Sequence, residues 1–385
     1  MWPGCTASRL SSPSAIDQKV PSQRLTSLDV LRGLTLIGMI VVNTAANGFE
    51  SGNSTFPLLL HSHWDGFTIA DSVFPAFLFM VGVSIPLAIR KEEGQPLSAL
   101  AARRILQRSL LLILIGVLLH NLGTLANFDR PIRPFGVLQR TGVVYGACAF
   151  LYLLTTSRAR LILIPLLLLG YWLLLYVPCP DGVMTDLWQR GHNFVGAFDR
   201  LLLGVHRYVK GPEGYDPEGL LGDIPSVAHG LIGVAVGEYL QKNKGTTAAL
   251  RMAITGSVMM LAGVSWSFVL PVVKDIWSPS FVLVSCGLTL AVLAGLHFLL
   301  DGREGAAKNL LVVFCLAFGI NSIAAYVLHV LAGGVLKADL FTVPYERLAP
   351  LIGGEMAALV PVFMFLILVW LPLDSLRRHA WIIKV

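Results

Sequence analysis

Charged side chains are scarce in this sequence: 14% of its 385 residues are Asp, Glu, Lys or Arg, whereas soluble domains carry about 25%. Polar stretches are few, and the longest, residues 178–222, is too short for an independent hydrophobic core. Hydrophobic residues make up 55% of the chain, and the mean hydropathy is +0.70. These deficits argue against a chain of soluble domains and indicate one membrane domain with several spans.

Patterns that bind metals or nucleic acids are also lacking. The five cysteines are scattered without Cys-x-x-Cys spacing, so neither a disulfide framework nor a metal site is expected. His61 and His63 form a His-x-His with no convincing third ligand, and we expect no metal there. The net charge of +6 is not gathered into basic tracts interleaved with aromatics, which argues against a nucleic-acid partner.

The sequence does contain a series of apolar runs near the length of about 20 residues that crosses a bilayer. We predict an all-α, polytopic membrane protein with about ten transmembrane helices, at 28–46, 67–89, 103–122, 135–156, 160–178, 223–241, 248–269, 279–300, 309–332 and 355–373. Residues 1–24 are predicted to form a flexible cytoplasmic tail, and residues 25–385 a single domain with a long outer loop at 179–222. The distribution of Lys and Arg over alternate loops predicts that both termini are cytoplasmic.

Polar side chains near or within the first two spans require a reason, because a mid-span Asp or Arg costs about 2.5–3.5 kcal/mol. Arg32 follows Asp29 by three residues, so it either anchors the helix end through an ion pair or faces a phosphate. Asn43 lies about three turns later without a local partner. Asp71 is about one turn into the second span and is either a salt-bridge partner or the group that orients an imidazole.

Several polar residues at or beyond the start of the second span have two interpretations each. His61, Trp64 and Asp65 precede the second span and fit either an interfacial aromatic belt or a catalytic loop. Gln139 and Arg140 fit either a structural ion pair or a bound anion. Asp216 and Glu218 fit either turn residues or sugar ligands. Asn321, Ser322, Tyr326 and His329 form a polar stripe that must face protein, water or ligand.

Several motifs in this order resemble one enzyme family. They are SLDVLRGLTLIGMIVVN, HSHWDGFTIADSVFPAFLFMVGVSI, GVLQRTGVVYG, YDPEGLLGDIPS, IWSPSFV and GINSIAAYVLH. Together they are similar to the transmembrane part of the heparan-α-glucosaminide N-acetyltransferases and their bacterial relatives. The resemblance extends from about residue 24 to the end of the sequence.

This resemblance implies an acetyl-CoA-dependent N-acetyltransferase that moves an acetyl group across the membrane to the amine of a glucosamine-type sugar. The family's active histidine corresponds to His61 in the pattern H-x-x-W-[ND]-G-x-T, and its active asparagine corresponds to Asn43. Asp71 is then expected to orient the imidazole. His61 could be acetylated as a nucleophile or act as a general base, and the sequence does not choose between these roles.

The remaining expected contacts follow from the same resemblance. We expect the donor, acetyl-CoA, at Arg32, Arg103, Arg104, Arg108, Gln139, Arg140, Asn321 and Ser322, and the acceptor at Trp64, Asp65, Asp216 and Glu218. The large lumenal domain and leading helix of the lysosomal member have no counterpart here, so we expect a bacterial cytoplasmic-membrane protein acting on a smaller amino sugar or envelope glycan. Membrane lipids are expected partners, and a homodimer is allowed for. An amino-sugar transporter and a scaffold without activity are the alternatives.

Overall fold

The computed structural model describes residues 25–46, 56–89, 97–126, 131–303, 305 and 309–383. All regular secondary structure within these ranges is helical. The α-helices are α1 (Thr26–Ala46), α2 (Ile69–Ala88), α3 (Ala99–His120), α4 (Leu122–Ala126), α5 (Val137–Leu154), α6 (Ser157–Leu175), α7 (Phe194–Leu203), α8 (Asp223–Lys242), α9 (Gly245–Trp266), α10 (Pro279–Leu300), α11 (Leu310–Ile320), α12 (Ser322–Ala332), α13 (Asp339–Ile352) and α14 (Gly354–Arg378). Short 3-10 helices occupy Pro57–Leu59, Gly204–His206, Leu220–Gly222 and Gly333–Lys337.

Each predicted span coincides with a helix or a helix pair. In the described part of the chain, eight helices are long and apolar enough to cross a membrane, namely α1, α2, α5, α6, α8, α9, α10 and α14. The pair Leu310–Ile320 and Ser322–Lys337 would be a ninth span, bent by 83°. The remaining predicted span, 103–122, is α3. It is not among the helices named above, and its first turns carry three arginines. The all-α polytopic fold is confirmed. The predicted tail, residues 1–24, lies outside the described residues, and the sidedness stays a prediction.

Most of the helices pack around the two larger hydrophobic cores of the described residues. The first core joins α2, α5, α8 and α10 and contains Phe79, Val144, Leu231 and Phe281. The second core joins α1, α3, α11, α12 and α14 and contains Leu36, Leu112, Phe318 and Phe365. The outer loop is folded rather than irregular, since it contains α7 and packs Tyr215 against Trp64 with ring centroids 5.7 Å apart. The space between the two cores is where polar side chains can gather.

The close contact between α1 and α11 depends on two glycines. A Cβ atom at Gly33 of α1 would overlap the carbonyl oxygen of Cys315 on α11, and one at Gly319 would overlap the carbonyl oxygen of Asp29. Small residues that let backbones approach are typical of helix interfaces within membranes. Gly33 and Gly319 therefore set the distance between α1, which carries Asn43, and α11.

We expect Gly33→Ala to lower the free energy of unfolding by about 1–3 kcal/mol, because the added methyl group must push two backbones apart. Thermal denaturation of the detergent-solubilised protein measures this as a lower midpoint. Gly170→Ala is the matched control, since Gly170 is an exposed position within α6 where an added Cβ meets nothing within 4 Å. Equal midpoints for the two variants would contradict the packing role of Gly33.

Candidate active site

Two cavities lie between the two cores and are joined at one side chain. We call them outer and inner after the predicted topology: the outer cavity has a volume of about 590 Å³ and the inner cavity about 290 Å³, and Phe77 of α2 lines both. Ala70 and Phe74, nearer the beginning of α2, line the outer cavity, whereas Met80 and Ser84 line the inner one. The two cavities therefore follow each other along α2, with the Phe77 ring where they meet.

A histidine–carboxylate pair lies at the outer cavity. His61 Nδ1 is 2.8 Å from Oδ1 of Asp71, whose side chain is fully buried, while the His61 side chain keeps 44% of its surface exposed. An ionised carboxylate only accepts hydrogen bonds, so the imidazole carries its proton on Nδ1 and presents Nε2 as an acceptor. This is the orientation that a histidine needs in order to take a proton from a bound ligand.

The local sequence around the start of α2 holds Asp71 in place. Thr68 is the N-cap of α2, and it forms a reciprocal capping box with Asp71. The second carboxylate oxygen of Asp71 accepts from the backbone N–H of Ser62 at 3.1 Å, from the N–H of Thr68 at 3.1 Å and from the Thr68 hydroxyl at 3.0 Å. The buried carboxylate is thus fully hydrogen-bonded, and its first oxygen is left for His61.

A lysine from a distant part of the chain completes the surroundings of His61. Lys274 Nζ lies 3.2 Å from each of the two ring nitrogens of His61 and 3.9 Å from Oδ1 of Asp71. Lys274 precedes α10 and also lines the outer cavity. His61 is therefore in contact with one anion and one cation.

Asn43 lies at the same cavity, near the end of α1. Its amide nitrogen is 3.2 Å from Nε2 of His329 on α12, and Tyr326, one turn before His329, also lines the cavity. The His329 ring packs against Phe365 with centroids 5.7 Å apart. Since an amide NH₂ only donates, Nε2 of His329 accepts, and among the described residues the second N–H of Asn43 has no hydrogen-bond partner.

The inner cavity is lined by only part of the predicted donor set. Arg32, Arg108 and Ser322 line it. Arg32 is held by Asp29 at 3.0 Å and by the Ser84 hydroxyl, and the Arg108 guanidinium lies 4.6 Å from the centre of the Tyr145 ring. Arg103 and Arg104 are exposed earlier on α3.

The other predicted donor residues make contacts elsewhere in the bundle. Arg140 is buried and donates to Asp223 at 3.2 Å and to the carbonyl oxygen of Gly219 at 3.1 Å. Gln139 is buried and donates to the Pro134 carbonyl oxygen at 3.4 Å. Asn321 donates to the Trp381 carbonyl oxygen at 3.0 Å and accepts from the Ile383 N–H at 2.9 Å, so it holds the segment that follows α14. A donor role for these three residues stays a prediction.

Of the predicted acceptor residues, Glu218 lines the outer cavity. Trp64 is buried and donates to the Leu187 carbonyl oxygen at 2.9 Å, and the carboxylate of Asp65 accepts from the Val272 N–H at 2.8 Å. Asp216 is buried and accepts from Arg133 at 3.0 Å. Trp64, Asp65 and Asp216 thus hold loops together around the cavity, and direct contact with an acceptor stays a prediction for them.

The charged side chains that line the outer cavity include ion pairs of opposite sign. Arg133 pairs with Glu218 and lies 4.3 Å from the centre of the Tyr208 ring. The Arg133 guanidinium lowers the pKa of Glu218 against the opposing effect of burial, and burial raises the pKa of the nearby Asp275. Asp275 accepts from the Tyr215 hydroxyl at 2.5 Å. Side chains of both charge signs therefore line this cavity.

Sequence reasoning missed several residues that the fold brings to this cavity. Phe77, His120, Arg133, Arg190, Lys274 and Asp275 all line it. Lys274 had the clearest available signal, because it stands three residues before Trp277 in the recognised IWSPSFV motif. No group of three or more His, Cys, Asp or Glu side chains that could hold a metal ion occurs in the described ranges.

The fold and the site define a class: a polytopic, all-helical membrane protein in which a histidine, held by a buried aspartate, lines a cavity that continues along one helix. Residues 24–264 match the family model described as heparan-alpha-glucosaminide N-acetyltransferase, catalytic. The chain therefore belongs to this family, and the predicted family resemblance is confirmed.

Two relatives carry the same family name. The heparan-alpha-glucosaminide N-acetyltransferase of Mus musculus is 31% identical over 389 residues, covering 84% of this chain and 57% of the mouse protein. That of Homo sapiens is 32% identical over 364 residues, covering 80% of this chain and 52% of the human protein. The chain spans about half the length of the relatives that it matches.

Proposed function

We propose that this protein is a transmembrane N-acetyltransferase that takes the acetyl group of cytoplasmic acetyl-CoA and transfers it to the amine of a glucosamine-type sugar on the periplasmic side. One observation carries the proposal: His61, oriented by Asp71, lies at the outer of two cavities that meet at Phe77, and Arg32 and Arg108 lie at the inner one. The family membership and the relatives' names support the same reaction.

The division of charge along the two cavities suits a donor with a polyanionic end and a long neutral arm. Phosphate groups cannot enter the bilayer core, so they must stay at the inner face while the thioester reaches outward. Arg32 and Arg108 would hold the phosphates. Phe77, Phe74 and Met39 provide an apolar lining for the neutral arm.

At the outer end, Nε2 of His61 is the acceptor for a proton or for the acetyl group. As a general base it takes the proton of the sugar amine while the amine nitrogen attacks the thioester carbon. The C–S bond then breaks, and the imidazolium returns the proton to the leaving sulfur, which departs as the thiol. As a nucleophile it is acetylated first and passes the group on in a second step. In both routes the free N–H of Asn43 would donate to the developing oxyanion.

Purified protein in detergent or proteoliposomes, incubated with labelled acetyl-CoA and a panel of glucosamine-ended acceptors, tests the proposal. Transfer of label to the sugar nitrogen is the expected result. A rapid quench without acceptor then separates the two routes, because only the nucleophile leaves labelled His61. The absence of both acetyl-CoA binding and label transfer would overturn the proposal.

The alternative is an amino-sugar transporter of the cytoplasmic membrane, which the 83° break between α11 and α12 favours, since broken helices line transporter sites. Proteoliposomes that accumulate labelled sugar unchanged, without acetyl-CoA, would support transport. The acceptor envisaged is a small amino sugar or an envelope glycan, with Glu218 at the cavity mouth as its first contact. A bacterial inner-membrane location and a homodimer stay predictions.

A further inference from the structure

The position of Lys274 relative to His61 has an unusual geometry. Its ammonium nitrogen is equally distant, 3.2 Å, from Nδ1 and Nε2. The lone pairs of the two ring nitrogens point away from each other in the ring plane, so a donor aligned with one of them could not be equally close to both. A position in the plane between them would collide with the carbon that joins them. The ammonium therefore lies over the face of the ring.

This placement leaves the two ring nitrogens to other partners. Nδ1 is directed at the carboxylate of Asp71, which is 2.8 Å away. The in-plane lone pair of Nε2 stays available, because Lys274 approaches from the face. The cation over the ring opposes a second proton on the imidazole, whereas the anion of Asp71 favours one. The two neighbours therefore act on the imidazole in opposite directions.

The loop that carries Lys274 is held to the loop that carries His61. The Val272 N–H donates to the Asp65 carboxylate at 2.8 Å, and the Gly66 N–H donates to the Val272 carbonyl oxygen at 3.0 Å. On the other side of Lys274, the Ser278 hydroxyl accepts from the Val273 N–H at 3.0 Å and donates to the Pro271 carbonyl oxygen at 2.9 Å. Such backbone attachment keeps the lysine over the ring rather than in bulk solvent.

The other titratable or charged side chains at the outer cavity are largely compensated among themselves. Arg133 pairs with Asp216 and Glu218, and Arg190 lies 3.7 Å from Asp275. The full set lining the cavity together with His61 and Lys274 is His63, His120, Arg133, Arg190, Glu218 and Asp275. Among the described residues, Lys274 and Asp71 are the charged side chains in contact with the His61 ring.

We infer that Lys274 is a positioning residue whose charge, placed over the His61 ring, works against a second proton on the imidazole and so helps to keep Nε2 ready to accept. The catalytic meaning of this inference rests on the proposed acetyl transfer, whereas its test by chemical modification of His61 does not. At 3.2 Å, removal of a unit charge changes a protonation equilibrium by about one pH unit even with the screening of bulk water. The matched variants are Lys274→Met, which removes the charge, and Lys274→Arg, which retains it.

Carbethoxylation of histidine by diethylpyrocarbonate tests the inference without any turnover, because the reagent attacks the neutral ring. Peptide mass spectrometry locates the product on His61 and gives the pH midpoint of its reactivity. We expect the midpoint in Lys274→Met to rise by about one pH unit, so that reactivity below the midpoint falls about ten-fold, while Lys274→Arg stays close to the parent protein. Coincident midpoints in all three proteins would overturn the inference.

The pH profile of acetyl transfer provides the second measurement. Lys274→Met should move the acid limb of kcat to higher pH and leave the alkaline plateau at or above that of the parent protein. A merely structural lysine would instead lower the rate equally at every pH, and that outcome also overturns the inference. If the parent protein transfers no acetyl group, the proposed function fails while the carbethoxylation midpoints still decide the role of Lys274.

Discussion

His61→Ala is expected to lower acetyl transfer by about 10²–10⁴-fold, the range typical for loss of a general acid or base, and to remove it entirely if His61 is acetylated during turnover. The reason is that Nε2 is the acceptor oriented toward the outer cavity by the Asp71 carboxylate. The measurement is kcat with saturating acetyl-CoA and acceptor. Binding of acetyl-CoA should persist, since Arg32 and Arg108 are untouched.

His63→Ala is the matched comparison, because His63 lines the same cavity two residues away. The structure gives His61 a carboxylate partner, and the family pattern H-x-x-W-[ND]-G-x-T aligns with His61 rather than His63. We expect His63→Ala to lose less than about ten-fold in kcat. Equal losses in the two variants would contradict the assignment of His61 as the reacting histidine.

Asp71→Asn should lower kcat by about 10²–10⁴-fold while the KM for acetyl-CoA changes little. An amide places a donor where the carboxylate accepted, which favours the wrong imidazole tautomer and puts the proton on Nε2. Steady-state kinetics with each substrate varied in turn give kcat and KM separately. A large rise in the KM for acetyl-CoA with unchanged kcat would show that Asp71 serves donor binding instead.

Asp374→Asn controls for the general cost of altering a buried carboxylate. Asp374 is 3% exposed and accepts from Arg377 at 2.7 Å and Arg378 at 2.6 Å at the end of α14. We expect its kcat to stay within about three-fold of the parent protein. Because Asp71 also belongs to the capping box of α2, thermal midpoints of both variants are needed to separate lost folding from lost chemistry. An Asp71→Asn protein with a normal midpoint and normal kcat would contradict the orienting role.

The predicted spans agree with the helices because the bilayer constrains each stretch of chain locally. Every backbone N–H and C=O in hydrocarbon must be bonded within the segment, so a run of about 20 apolar residues predicts a helix without knowledge of its neighbours. The run at 309–332 shows the limit of this rule. It is two helices bent at Asn321, a break that the FGINS sequence suggested but whose angle depends on packing.

The candidate site was predicted best where the residues are close in sequence. His61 and Asp71 fall within eleven residues, and the 2.8 Å contact between them is the one expected of an orienting carboxylate. The capping box that Thr68 forms with Asp71 was not predicted. The basic residues of α3 were predicted as a group, and all three are exposed, yet only Arg108 of the three lines the inner cavity. Which arginine reaches the cavity depends on the rotation of α3 against α5, and composition does not contain this information.

By itself, the sequence determined that this is a helical membrane protein of a recognisable family, and it predicted His61, Asn43 and Asp71 as the centre of its chemistry. Only the tertiary structure decided that Phe77 lies where two cavities meet and that Lys274, 213 residues away in sequence, lies over the His61 ring. The physical reason is that hydrophobic length and capping are local properties, readable along the chain. Contacts between distant loops arise from the packing of whole helices, in which glycines such as Gly33 set the distances.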